Sequence, residues 1–132
     1  MVAMKVIALD TNIAIDVLNE VPEVIQKLQD YDQLYLPITV TGELLYGAKN
    51  SAKRAQNLKR FRTLIAACEA INVDYVIAEA YSDIRLSLKQ QGTPIPENDI
   101  WIAAAFRVNG LTLLTRDRHF QQVEGLDVEM LA

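Results

Sequence analysis

The stretch KVIALDTN, Lys5–Asn12, decides the fold. Lys5–Leu9 is a short apolar run with β-branched residues and no polar alternation, as expected of a strand buried on both faces. Asp10 stops it, and Ile13–Leu18 continues as a helix ending near Asn19. A strand covered on both sides and followed at once by a helix opens a parallel α/β sheet.

The rest of the chain repeats this alternation. Pro22 suits the first turn of a helix over Pro22–Asp30. Leu34–Ile38 reads as a second strand, with Pro37 placing its end nearby. Thr41 is expected to cap a helix over Gly42–Lys49, which puts Glu43 in the first turn. Ala52–Ala67 carries Leu58, Phe61, Leu64, Ile65 and Cys68 within an arc of about 120°. Ala70–Val73 is a third short strand. Tyr75–Gln91 presents Ile77, Tyr81, Ile84 and Leu88 on one face and stops at Gly92. Pro94 and Pro96 precede a helix over Glu97–Asn109, followed by a strand at Leu111–Thr115, a loop or helical turn at Asp117–Val123 and a final strand at Leu126–Leu131. With 132 residues and no linker or repeat, the chain is expected to be a single domain, 1–132, with a parallel sheet covered on both faces. Strand order does not follow from this pattern.

Composition narrows the class. A content of 51% hydrophobic and 23% charged residues is that of a soluble globular protein. One cysteine, Cys68, excludes an internal disulfide and suits a reducing compartment. No stretch has the length of a membrane span, so a soluble cytoplasmic protein without membrane contact is expected. The formal charge of −4 argues against a protein that coats nucleic acid, which would be basic. Setting aside four acids singled out below leaves 13 acidic against 13 basic residues, so a polyanionic substrate stays compatible.

Those acids are Asp10, Glu43, Asp99 and Asp117. Each is expected at a strand end or in the first turn of a following helix, positions that converge at the carboxyl edge of a parallel sheet. Carboxylates gathered there repel one another unless divalent cations hold them, and hard oxygen donors suit Mg²⁺ or Mn²⁺. A metal-dependent phosphoryl-transfer enzyme is therefore expected, with one or two ions activating water for in-line attack on a phosphodiester. Such cleavage leaves 5′-phosphate and 3′-hydroxyl ends. His119 is the only histidine, which excludes a two-histidine ribonuclease.

Thr11, Asn12 and Thr115 stand beside the acids and are candidates to orient carboxylates or metal-bound water, with Thr11 the weakest of the three. Arg116 is a candidate contact for a substrate phosphate or a site carboxylate. Glu97 is read as a solvated helix start, His119 as a surface or supporting residue and not a ligand, and Phe120 as an anchor for its loop. Trp101 is left between a subunit interface and a neighbouring helix. The basic run Lys53–Arg62 is read as a solvated helix surface. A haloacid dehalogenase-like phosphatase would need a second acid at position 12, where Asn12 stands. A non-catalytic RNA- or partner-binding module on the same fold is the other alternative.

At ALDTN (Ala8–Asn12), TGELLYG (Thr41–Gly47), ENDIWIAA (Glu97–Ala104) and LLTRDRHF (Leu113–Phe120), the chain resembles PIN domains, specifically the VapC-type toxin ribonucleases of toxin–antitoxin pairs. The resemblance spans nearly the whole chain. It implies a three-layer α/β/α sandwich whose five-stranded parallel sheet has the order 3-2-1-4-5. It also implies a Mg²⁺- or Mn²⁺-dependent endoribonuclease, a homodimer inhibited by a small cognate antitoxin, with DNA contacted only through that antitoxin. Asp10, Glu43, Asp99 and Asp117 occupy the family's four acidic positions, as metal ligands and catalytic residues. Thr115 matches its hydroxyl position, and Asn12 the polar residue after the first acid.

Overall fold

The sequence folds around Val6–Leu9 (β1), which becomes the middle strand of a five-stranded sheet in the computed structural model, which describes residues 3–131. Ile7, Ala8 and Leu9 are completely buried, as a strand covered on both faces requires. β1 is followed by α1 (Thr11–Leu18), α2 (Pro22–Leu28), β2 (Gln33–Pro37), α3 (Ile38–Lys49) and α4 (Arg54–Ala67). Then come β3 (Glu69–Ile71), α5 (Tyr75–Gln91), α6 (Glu97–Val108), β4 (Leu113–Thr115), a 3-10 turn (Arg118–Gln122) and β5 (Val128–Met130). All four strand pairings are parallel, in the order β3-β2-β1-β4-β5. The order implied by the resemblance is the one observed.

The register fixes what meets at the carboxyl edge. Leu9 pairs with Leu114, so the residues that follow, Asp10 just past β1 and Thr115 at the end of β4, lie side by side. α6 packs its apolar face inward, with Ile102, Ala103, Ala104, Ala105 and Phe106 buried at 0–1% exposure, and this clamps its first turn against the strand ends. α5 runs alongside; Asp74 caps it by accepting from the Ile77 N–H (2.9 Å), and Gly92 ends it at φ 74°, where glycine carries no Cβ penalty. Trp101 stacks on Tyr81 of α5, centroids 3.9 Å apart, so it joins the two helices.

One expectation is corrected. α3 does not begin at Gly42 with Thr41 as its cap; it begins at Ile38, directly after Pro37. Pro37, at φ −65° and ψ 148°, ends β2 and launches the helix without a loop. The run Ile-Thr-Val-Thr-Gly has poor helix propensity, but burial of Val40, Thr41 and Leu44 outweighs it. Glu43 consequently lies in the second turn, away from the positive end of the helix dipole. The apolar stripe of α4 is only half covered: Leu58, Phe61, Leu64, Ile65 and Cys68 are all partly exposed, and the helix has no fully buried residue.

Candidate active site

Asp10 is the innermost acid, 3% exposed. It is the N-cap of α1: its Oδ1 accepts from the Ile13 N–H at 2.9 Å, satisfying a donor the helix leaves open. Its Oδ2 accepts from the hydroxyl of Thr115, which is fully buried. Burial pushes the Asp10 carboxyl up to about 6, against the pull of those two hydrogen bonds, and the charges of Asp99 and Asp117 add to the rise. Thr115 reaches in two directions, because its Oγ1 also accepts from the Asp117 N–H at 2.9 Å.

Asp99 stands in the first turn of α6. Burial raises its pKa above the usual carboxylate range, followed by the charge of Asp117; His119 works against the rise, and Glu43 adds to it. Asp117 caps the 3-10 turn by accepting from the His119 N–H at 2.9 Å. Glu43 comes from the opposite side, exposed, with Thr11 Oγ1 donating to its Oε2 and Asn98 Nδ2 to its Oε1. All four acids thus act on one crevice at the carboxyl edge.

Other expectations sort differently. Thr11, the weakest of the three supporting candidates, touches Glu43, whereas Asn12 is exposed and is neither of Glu43's two donors. Arg116 does not reach any of the four acids; its guanidinium forks between Asp16 of α1 and Glu23 of α2. Glu97 faces away, accepting from the Tyr81 hydroxyl at 2.7 Å. Phe120 is buried at 1% and anchors the turn that carries His119. Asn98 was not singled out in the sequence. Its only signal is its place beside Asp99, and its reach to Glu43 depends on how α3 and α6 pack. His119, expected at the surface or in a supporting role, has its Nδ1 3.1 Å from Asp117 Oδ1 and 3.4 Å from Asp99 Oδ2.

The donor set suits a divalent cation. Asp99, Asp117 and His119 each bring a ligand atom within 4.8 Å of the others, and Asp10 and Asp99 keep raised pKa values despite His119 beside Asp99. Lys and Arg take no part among the described residues, so a metal ion is the charge that would complete the crevice.

A doubly covered parallel sheet with acids converging at its carboxyl edge defines the class as an α/β protein with a carboxylate-lined crevice at that edge. The PIN domain profile matches residues 7–126, and the chain belongs to the PIN-domain family. It is similar to ribonuclease VapC2 of Haemophilus influenzae, 32% identical over 92% of this chain and 94% of that protein. It is also similar to the tRNA(fMet)-specific endonuclease VapC of Shigella flexneri, 30% identical over the same shares. Among solved structures, a chain of DNA-bound VapBC from Salmonella typhimurium superimposes with a TM-score of 0.88 at 27% identity, covering 97% of this chain and 98% of that one. Among the described residues no helix is long and apolar enough to cross a membrane.

Proposed function

We propose that this protein is a Mg²⁺- or Mn²⁺-dependent endoribonuclease, the toxin of a VapBC-type toxin–antitoxin pair, cutting RNA to 5′-phosphate and 3′-hydroxyl ends. The observation that carries the reading is the gathering of Asp10, Asp99, Asp117 and Glu43 in one crevice, with Asp10 and Asp99 partly desolvated and pushed up in pKa. That arrangement costs stability on its own and is repaid by a bound cation. Asp10, Glu43, Asp99 and Asp117 would hold the ions, and Thr115 and Thr11 would fix the orientation of Asp10 and Glu43.

A bound divalent ion supplies charge neutralisation for a phosphodiester and activation of water. The chain's own part is positional. The Ile13 N–H and the Thr115 hydroxyl pin both oxygens of Asp10, and Thr11 and Asn98 pin both oxygens of Glu43. Acids held this way need little rearrangement when a substrate phosphate arrives. The relatives named above, a ribonuclease VapC2 and a tRNA(fMet)-specific endonuclease VapC, support RNA as the substrate. The likeness to a chain of DNA-bound VapBC supports a cognate antitoxin as the partner, with DNA reached through it. A homodimer is part of the same reading, supported by exposed apolar side chains such as Tyr46 on α3, 69% exposed.

The test is incubation of purified, antitoxin-free protein with total RNA in Mg²⁺, in Mn²⁺ and in EDTA, with Asp10→Asn and Asp99→Asn alongside. Discrete fragments with 5′-phosphate ends, lost in EDTA and in both folded variants, are expected. Unchanged cleavage in both variants would overturn the site. A folded, metal-loaded protein that cuts nothing would instead be a binding module. Light scattering showing a monomer at all concentrations would remove the dimer.

A further inference from the structure

His119 is the only histidine in the chain, and it is held at the acids. Two features fix it there. Its backbone N–H is bonded to Asp117 Oδ1, and the next residue, Phe120, is buried in the core. The ring is half exposed yet has its Nδ1 nearly equidistant from carboxylates on two different elements, at 3.1 and 3.4 Å. An octahedral ion with bonds of about 2.1 Å sets neighbouring donor atoms about 3 Å apart. The spacing around Nδ1 is close to that of adjacent donors sharing one ion.

We propose that His119 Nδ1 is itself a metal ligand, joining Asp99 and Asp117 on one ion and making the site selective for Mn²⁺ over Mg²⁺. The inference rests on the metal-nuclease reading above. Mg²⁺ keeps to oxygen donors and gives up water reluctantly, whereas first-row transition ions accept an imidazole nitrogen. Mn²⁺ does so while still favouring the carboxylates that surround it here. In the metal-free protein, an N–H on Nδ1 can serve the same two carboxylates, so the ring need not move far for the ion to enter. The half-exposed ring contributes little to the core, and His119→Ala is expected to fold.

The experiment uses the full chain without an affinity tag, so that His119 supplies the only imidazole. Mn²⁺-loaded protein is examined by pulsed electron paramagnetic resonance for coupling to a ¹⁴N imidazole nitrogen, and Mn²⁺ and Mg²⁺ affinities are measured by calorimetry. The expected result is a nitrogen coupling that disappears in His119→Ala. In that variant Mn²⁺ affinity should fall at least about tenfold, as is seen for groups that support a ligand, while Mg²⁺ affinity changes little. Mn²⁺ bound without nitrogen coupling, or an equal loss for both ions, overturns the assignment of His119 and leaves the acids standing. Asp99→Asn tests the underlying site separately: Mn²⁺ binding that survives it overturns both readings.

Discussion

Asp10 shows most directly what the site demands of single residues. Its carboxyl keeps its proton up to about 6 when folded, so carrying the charge at neutral pH costs on the order of 3 kcal/mol. In metal-free protein at pH 7, Asp10→Asn should therefore gain about 1–3 kcal/mol in urea unfolding, while cleavage is lost. A variant less stable than the parent would show that the charge is already compensated. Thr115→Val keeps the shape and removes the hydroxyl that pulls the Asp10 pKa down. Metal affinity should drop about 10–100-fold by calorimetry, with a stability loss of about 1–2 kcal/mol from the unpaired Asp117 N–H; unchanged affinity would make Thr115 mere packing. The placement of the acids and Thr115 at one edge was legible because their positions follow from strand ends, which the apolar runs mark. That Thr11 and not Asn12 is the one touching Glu43 depends on the phase of α1 and on where Glu43 lies, and neither is encoded locally. Asn98 was invisible for the same reason.

Elements set those phases. The sequence placed the start of α3 four residues late, since Ile-Thr-Val-Thr looks like anything but a helix until burial of Val40 and Leu44 is known. α5, by contrast, was legible: its apolar face and the stop at Gly92 are local signals, and nothing tertiary overrides them. At the other side of the crevice, Arg116 ties the end of β4 to α1 and α2 through Asp16 and Glu23, one residue before Asp117. Arg116→Met should cost about 1–2 kcal/mol, because a partly buried fork is worth more than an exposed pair and its loss leaves two carboxylates facing each other. Urea midpoints at low and high salt would check this; the gap should narrow with salt. No gap at either salt would mean the fork only decorates the surface.

For the whole molecule the raised acids add up to a pH dependence. Between about pH 4 and 6 the folded protein holds a proton on Asp10 that the unfolded chain has released, and the raised pKa of Asp99 acts in the same direction. Folded metal-free protein should therefore lose stability as pH rises through that window. Saturating Mn²⁺ should reverse the trend, adding about 2.7 kcal/mol at a hundred times its Kd, because the ion takes the deprotonated carboxylates. Thermal melts across pH with and without Mn²⁺ give both signs, and parallel curves would refute the coupling. Layering was legible from the alternation of apolar runs and helical stripes. Strand order was not, since nothing local tells β1 that its neighbours are β2 and β4; only the resemblance supplied it. That order has a consequence for biosynthesis. Of this sheet, the strand made earliest is the middle one, and one of its two edges stays unpaired until Leu113–Thr115 is translated. Asp10 meanwhile lacks Thr115, and Asp117 does not yet exist. A nascent or truncated chain cannot assemble the crevice, so the four acids come together only once nearly all of the domain has been synthesised.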